Sequence, residues 1–123
     1  MYAPSGKAMK QERDCFFNSE LPYLLTGETG HILLGGDFNC ILEASDTTGG
    51  FTNSQALTEL VHGLAQTETC QSNPTRKVYT HYSASGGTRI DRMYATRELL
   101  ERKLSVEATV AQFTDHLAIC LRI

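Results

Sequence analysis

The chain has 123 residues, of which 41% are hydrophobic and 20% are charged, values typical of one small globular domain. Its net charge of −3 argues against a protein that binds nucleic acid through a basic surplus alone, but it allows an enzyme that acts on phosphates through a metal ion. No apolar segment approaches the ~20 residues that a membrane span needs, so we expect an intracellular protein without a membrane partner.

The first third of the chain predicts a helix and a strand. Apolar residues recur at spacings of three, four and seven over residues 7–25, as on one side of a helix. We expect a kink or a break at Pro22, because proline has no amide proton for the helical hydrogen bond. The apolar run over residues 32–34 predicts a strand covered on both faces, which the two glycines after it end.

The middle of the chain predicts a loop and a second helix. The loop covers residues 40–52 and is rich in Asp, Thr and Gly. Ser54 or Asn53 is expected to cap a helix that runs to about Leu64. Leucines and a valine at helical spacing form the apolar stripe of this helix.

Short strands and a hairpin are expected next. Residues 67–70 predict a short strand, and residues 72–74 a turn. The Val, Tyr and Thr content of residues 77–83 predicts a strand. A tight turn at 85–88 would lead this strand back into a second arm over 89–95.

The last part of the chain predicts a short helix and two strands. The helix covers residues 97–102, and alternating apolar residues mark strands over 106–110 and 117–123. Ala118 and Cys120 make the last strand apolar on both sides, so we expect something to cover each face. The whole pattern predicts an α/β layered fold with a mixed sheet.

The cysteines predict no metal site or disulfide framework of their own. Cys15, Cys40, Cys70 and Cys120 are far apart and form no C-x-x-C pair. We expect buried free thiols.

Polar side chains interrupt or end several of the predicted strands. They are Asp37, Asn39, Asp91, Asp115 and His116. If these groups converge, the carboxylates suit Mg²⁺ together with a substrate phosphate, and one Asp could orient or deprotonate water. Asp91 would then hold His116, whose positive charge would stabilise a pentacovalent phosphate.

Each of these residues also has an ordinary structural interpretation when taken alone. The Asp-x-Asn sequence can be an Asx turn. Asp91 lies between two arginines and can form an ion pair on a strand face. Asp115 and His116 can be a turn before a strand, and Tyr2 an ordinary aromatic at a strand end.

The remaining histidines and basic residues are less informative. The other three histidines have no ligand spacing, and we assign them no role: His31, His62 and His81. Four basic residues could form a strip beside the site or an ordinary solvated strand face: Arg76, Lys77, Arg89 and Arg92.

Four motifs in order resemble the later motifs of the endonuclease/exonuclease/phosphatase superfamily, which includes apurinic/apyrimidinic endonucleases and pancreatic deoxyribonuclease. The motifs are Tyr2-Ala3-Pro4, Gly36-Asp37-Phe38-Asn39, Arg89-Ile90-Asp91-Arg92 and Thr114-Asp115-His116. More narrowly, the chain is similar to the endonuclease domain of non-LTR retrotransposons. That resemblance is carried by Tyr79-Thr80-His81-Tyr82, the Gly86-Gly87 turn and the segment from Arg89 to Tyr94.

The resemblance implies a role for each matching residue. Asp37 would orient or activate the attacking water, and Asn39 would contact the scissile phosphate and hold Asp37. Asp91 would support His116, which would stabilise the phosphate. The hydroxyl of Tyr2 would approach the same phosphate.

The resemblance also implies a cofactor, a substrate and a setting. Asp115 would lie beside a Mg²⁺ or Mn²⁺ ion. The reaction would be metal-dependent hydrolysis of a phosphodiester that nicks DNA and frees a 3′ hydroxyl for priming. The chain would belong to a retrotransposon reverse transcriptase polyprotein, and its parent protein would act in the nucleus.

Two departures from the family pattern bear on activity. Thr114 replaces the usual Ser, another small hydroxyl, and we expect little effect. Nothing in the chain matches the family's amino-terminal half, which carries an early Asn and the principal metal-binding Glu. We therefore expect 1–123 to be a partial domain: about half of a deoxyribonuclease-like α/β sandwich, with one mixed sheet, helices on one face and weak or no activity.

Two other functions remain open from the sequence. The chain could be a non-catalytic remnant or interaction module that pairs its uncovered sheet with another chain. It could also be a phosphatase of the same superfamily that acts on phosphoinositides or other phosphomonoesters.

Overall fold

The computed structural model describes residues 1–50, 53–63, 66–68, 78–102 and 105–122, with 66–68 described by backbone alone. Within these ranges, none of the helices has the length and apolar character of a membrane span. The turn expected at 72–74 lies outside them, as do Cys70, Arg76 and Lys77.

The first helical segment changes type along its length. Its parts are a 3₁₀ turn (Lys7–Met9), α1 (Lys10–Cys15), a π-helical turn (Phe16–Glu20) and α2 (Leu21–Leu25). In the wider π turn the Leu21 amide donates to the Phe16 carbonyl. Pro22 then falls in the first turn of α2, where a missing amide proton costs little. The expected break at Pro22 is wrong, because helical backbone continues through Glu20 and Leu21 to Leu25 and only the helix type changes.

The later helices of the described residues are a 3₁₀ turn (Ala44–Asp46), α3 (Gln55–Gly63) and α4 (Arg97–Leu100). The hydroxyl of Ser54 accepts a hydrogen bond from the Leu57 amide at 3.3 Å, so Ser54 caps α3 as predicted. Leu57 and Leu60 point from α3 into the core. Leu64, where this helix was expected to end, lies outside the described residues.

The strands of the described part of the chain form three hydrogen-bonded groups. The strands are β1 (Leu33–Asp37), β2 (Gln66–Glu68), β3 (His81–Ser83), β4 (Gly86–Thr88), β5 (Asp91–Thr96), β6 (Ser105–Val110) and β7 (Leu117–Arg122). The groups are β1-β5-β2, β3-β4 and β6-β7, and every pair is antiparallel. The α/β fold is confirmed, but the expected single mixed sheet is divided. Parallel pairing in the described chain is limited to the bridges Tyr2–Asp37 and Ile41–Asn53.

The predicted hairpin is shorter than expected. The turn lies at residues 84–85, and Gly86 and Gly87 belong to β4. Residues 91–96 leave the hairpin and pair with β1 and β2. The hydroxyl of Thr80 accepts hydrogen bonds from the amides of Ile90 and Asp91. These bonds fix the backbone at the start of β5. The expected pairing of 77–83 with 89–95 is therefore wrong for the described residues, since 81–83 pair with 86–88 instead.

The core is built around an aromatic residue that follows β1. Phe38 is fully buried, as its alternation with Asp37 and Asn39 predicts. Its ring stacks on Phe17 with centroids 6.1 Å apart and meets Tyr94 edge-on at 5.1 Å. This packing joins the first helical segment to the β1-β5-β2 group and fixes the end of β1.

The β6-β7 pair shows one half-buried face and one exposed face. Leu117, Ile119 and Leu121 are half-buried, whereas Ala118 and Cys120 are exposed. The expectation that both faces of the last strand are covered is therefore wrong for the described chain.

The cysteine spacing predicted buried free thiols, but not all of the described thiols are buried. Cys40 is buried, but Cys15 and Cys120 are exposed. Burial raises the pKa of the Cys40 thiol to about 11, so this thiol stays protonated and packs as a small apolar group.

The end of β1 is held by the first residues of the chain. The Asp37 amide donates to the Met1 carbonyl at 3.1 Å, and the Ala3 amide donates to the Asp37 carbonyl at 2.9 Å. Gly36 has φ +147°, and a Cβ there would collide with the Met1 carbonyl oxygen. Glycine is therefore required for this close approach, which places Tyr2 beside Asp37.

Candidate functional site

Two carboxylates face each other where β1 and β5 meet. Asp37 and Asp91 are direct cross-strand partners, an arrangement in which like charges repel. Asp37 is 8% exposed. Its pKa is raised mainly by burial and further by the charge of Asp91, against the lowering effect of a hydrogen bond from the Asn39 amide. Asp37 is therefore a stronger base than an exposed carboxylate.

Asn39 ties Asp37 to the first residues of the chain. Its backbone amide donates to Asp37 Oδ1 at 2.8 Å, and its side-chain Nδ2 donates to the Ala3 carbonyl at 2.8 Å. The first bond is the Asx turn that the sequence left open. Asn39 has φ +49°, a conformation that asparagine tolerates better than most residues. Asn39 thus does hold Asp37, and its contact with a phosphate stays a prediction.

His116 lies against the same pair of carboxylates. Its Nδ1 is 2.9 Å from Asp91 Oδ2. Partial burial alone would lower the pKa of His116, but the hydrogen bond and charge of Asp91, followed by the charges of Asp37 and Asp115, raise it overall. A proton on Nδ1 directed at Asp91 leaves Nε2 for another partner. The structure brings Asp91 and His116 together as expected, and their catalytic roles stay predictions.

Asp115 is the most exposed acidic group of the site. Its side chain is 66% exposed, and its pKa is lowered by its own backbone amide and by the nearby histidines. Its Oδ1 is 4.0 Å from His116 Nε2, and its Oδ2 is 3.2 Å from His81 Nε2. An ionised carboxylate that faces solvent is a suitable metal ligand.

His81 was missed by sequence reasoning, which assigned it no role. An isolated antiparallel β-bridge pairs its backbone with that of His116, and the two imidazole centroids are 4.8 Å apart. Its Nδ1 is 3.3 Å from Thr88 Oγ1. The available signal was its place in the Tyr79-Thr80-His81-Tyr82 motif, since a search for regular ligand spacing cannot find histidines that meet across strands.

Tyr2 lies beside the end of β1 as the bridge partner of Asp37. Its side chain is well exposed, because the residue is 69% accessible. It is therefore placed next to the carboxylates with its ring reaching solvent, and its contact with a phosphate stays a prediction.

Among the side chains that the structure describes, two overlapping sets could hold a metal ion. One set is Asp37, Asp91 and His116, and the other is His81, Asp115 and His116; within each set the ligand atoms lie within 4.8 Å of one another. The three carboxylates supply the oxygen atoms that Mg²⁺ and Mn²⁺ take. The residues present therefore fit a divalent cation at this edge.

The sequence left open a basic strip beside the site, and the two arginines that the structure describes do not form one. Arg89 Nε lies 2.8 Å from Asp46 Oδ1, and Arg92 Nη2 lies 3.0 Å from Asp46 Oδ2. Arg92 is 2% exposed and Asp46 is fully buried. Burial would raise the pKa of Asp46, but the two guanidinium groups lower it overall. An ion pair of Asp91 with these arginines is also wrong, because they turn to Asp46 while Asp91 binds His116.

Replacing Asp91 with asparagine is expected to lower the pKa of His116, because the change removes the charge that stabilises the imidazolium. A folded-state pKa raised above the unfolded value stabilises the fold at low pH, and this stabilisation is lost as pH rises through the folded pKa. The free energy of unfolding of the Asp91→Asn protein should lack this pH-dependent contribution from His116. NMR titration of the imidazole nitrogens measures the pKa, with Asp14→Asn as the control at an exposed helical pair. If the His116 pKa is the same in the original protein, in Asp91→Asn and in Asp14→Asn, the pairing of His116 with Asp91 is contradicted.

Comparison with known proteins gives a family and a relative. The family described as the Endonuclease/Exonuclease/phosphatase family matches residues 8–116. A Xenopus laevis protein named "Transposon TX1 uncharacterized 149 kDa protein" is 30% identical over 131 residues, which cover 99% of this chain and 10% of the relative. The chain thus spans about a tenth of the length of that relative. A relative named as a transposon protein agrees with the narrower resemblance to retrotransposon endonucleases.

Proposed function

Because the chain belongs to the endonuclease/exonuclease/phosphatase family, as its four motifs predicted, we propose that it nicks DNA by metal-dependent hydrolysis of a phosphodiester bond. Membership of this family identifies the chain, at the coarse level, as a hydrolase of phosphate esters. One observation carries the finer proposal. Asp37, Asp91 and His116 come from three separate segments, and their ligand atoms lie within 4.8 Å of one another.

Asp37 is the group that we assign to the attacking water. Burial raises its pKa, which strengthens it as a proton acceptor, and the Asn39 amide fixes one of its oxygens. A base held in one orientation can direct water along a single line of attack. Asn39 and Tyr2 lie on the two chain segments that meet here, and in the proposal they contact the phosphate beside the water.

His116 is the group that we assign to the phosphate. Asp91 orients the ring through Nδ1 and favours the positive charge. The Nε2 proton then points away from Asp91, toward the position proposed for the phosphate oxygens. A fixed positive donor at the developing negative charge lowers the barrier without reorganisation during the reaction.

A divalent metal ion is part of the proposal because the carboxylates suit one. Asp115 has an exposed side chain and a lowered pKa, and this carboxylate would hold Mg²⁺ or Mn²⁺. When bound, such an ion would neutralise phosphate oxygens and act as a Lewis acid. The chain's own residues still supply the base and the imidazolium.

We propose DNA as the partner and a retrotransposon polyprotein as the setting. The transposon name of the Xenopus relative supports both, together with the resemblance of the Tyr79–Tyr94 segment to retrotransposon endonucleases. In this setting the nick frees a 3′ hydroxyl that primes synthesis, and the parent protein acts in the nucleus.

Incubation with supercoiled plasmid is expected to give slow conversion to the nicked circle with Mg²⁺ or Mn²⁺, and none with excess EDTA. The physical reason is that the carboxylates need a cation to bring a polyanionic backbone to this edge. Gel electrophoresis measures the nicked fraction over time. Parallel reactions with a phosphoinositide and a simple aryl phosphate test the phosphatase alternative. Phosphate release from these substrates without any nicked plasmid would overturn the proposal.

A further inference from the structure

The two imidazoles of the site present the same edge to one carboxylate. His81 Nε2 is 3.2 Å from Asp115 Oδ2, and His116 Nε2 is 4.0 Å from Asp115 Oδ1. Four-coordinate zinc with bonds near ~2.0–2.2 Å places neighbouring ligand atoms roughly 3.3–3.5 Å apart. One ligand atom from each of His81, Asp115 and His116 lies within 4.8 Å of the other two, so small side-chain rotations would bring the three around one ion.

Each imidazole is also held at its other nitrogen. His116 Nδ1 meets Asp91 Oδ2 at 2.9 Å, and His81 Nδ1 meets Thr88 Oγ1 at 3.3 Å. A hydrogen bond from Nδ1–H to an oxygen fixes the tautomer that keeps Nε2 for a metal and orients the ring. Zinc-binding histidines in proteins are commonly held in this way.

We propose that His81, His116 and Asp115 form a binding site for Zn²⁺ or a related divalent transition metal. Two nitrogens and one oxygen suit zinc better than Mg²⁺, which takes oxygen ligands. The side chains of the two histidines are 24% and 27% exposed and that of Asp115 is 66% exposed, so a fourth position faces solvent. Three protein ligands with one open position are typical of a site that exchanges its ion or binds a small ligand.

Metal bound here has a consequence for the site described above. It occupies His116 Nε2, which the proposed function assigns to the phosphate, so zinc would inhibit nicking. This consequence rests on the proposed function, whereas the binding of the metal does not.

The test measures metal binding on the whole chain without DNA. Calorimetry with Zn²⁺ and visible absorption of Co²⁺ are carried out in a Cys15→Ser/Cys70→Ser/Cys120→Ser background, which removes competing thiolates. We expect a single site and a Co²⁺ spectrum of low coordination number with nitrogen and oxygen ligands. Excess Mg²⁺ should not displace the metal.

The variants locate the site. His81→Gln and Asp115→Asn should each weaken Zn²⁺ binding at least about tenfold, and His62→Gln, at an exposed position of α3, should leave it unchanged. Asp115→Asn alters an exposed side chain, so loss of fold does not explain its effect. Unchanged affinity in both variants, or an octahedral Co²⁺ spectrum, would overturn the proposal. If zinc binds but no nicking is found, the site stands and the proposed function fails.

Discussion

Replacing Asp46 with alanine is expected to lower the free energy of unfolding by about 3–5 kcal/mol, the usual cost of removing one partner from a buried ion pair. The fully buried carboxylate binds Arg92 Nη2 at 3.0 Å and Arg89 Nε at 2.8 Å. It also accepts hydrogen bonds from the amides of Leu42 and Glu43. The substitution therefore removes a charge partner and the acceptor for two amides at once.

Urea unfolding followed by circular dichroism measures this effect. The matched control is Asp14→Ala, which removes an exposed pair with Lys10 and should cost less than about 0.5 kcal/mol. Because the arginines lower the Asp46 pKa overall, the stabilisation is present above the ordinary carboxyl pKa and is lost as pH falls through the folded value. Similar unfolding midpoints for the two variants would show that this network does not hold the fold.

Replacing His116 with glutamine is expected to reduce the rate of plasmid nicking about 10²–10⁴-fold, the range for a lost acid–base or charge-stabilising group. Glutamine keeps hydrogen-bonding capacity but cannot carry the positive charge that Asp91 favours. The nicked fraction over time in Mg²⁺ gives the rate. His62→Gln changes a histidine on the exposed side of α3 and should keep the original rate.

A companion variant guards against an indirect effect. Asp37→Asn keeps the size of the side chain and an oxygen for the Asn39 amide, but it removes the proposed base. Circular dichroism checks that both variants remain folded. If nicking persists at the original rate in both, neither residue has its assigned role.

The sequence revealed the position of most site residues but not their full surroundings. Asp37 and Phe38 alternate after an apolar run, so strand geometry alone sends one toward the site and the other into the core. Asp91 and His116 were joined by their chemistry and by the resemblance. The 2.9 Å contact between them depends on packing between segments 25 residues apart.

Long-range pairing explains what sequence reasoning missed. The Gly86-Gly87 pair predicted a long local hairpin. In the structure, residues 91–96 instead lie between β1 and β2 and pair with both. Asp46 lies in a loop rich in Asp and Thr, where nothing local distinguishes a buried carboxylate from a solvated one. His81 meets His116 only because β3 lies beside the start of β7.

The facing carboxylates Asp37 and Asp91 have a cost for the unliganded protein. Burial and mutual repulsion both disfavour the ionised form of Asp37, so above its folded pKa this contact works against folding. A bound cation would relieve that repulsion and stabilise the native state in proportion to how tightly it binds. Removing the charge of Asp37 would therefore relieve that cost, but it would also remove one oxygen ligand of the proposed cation site.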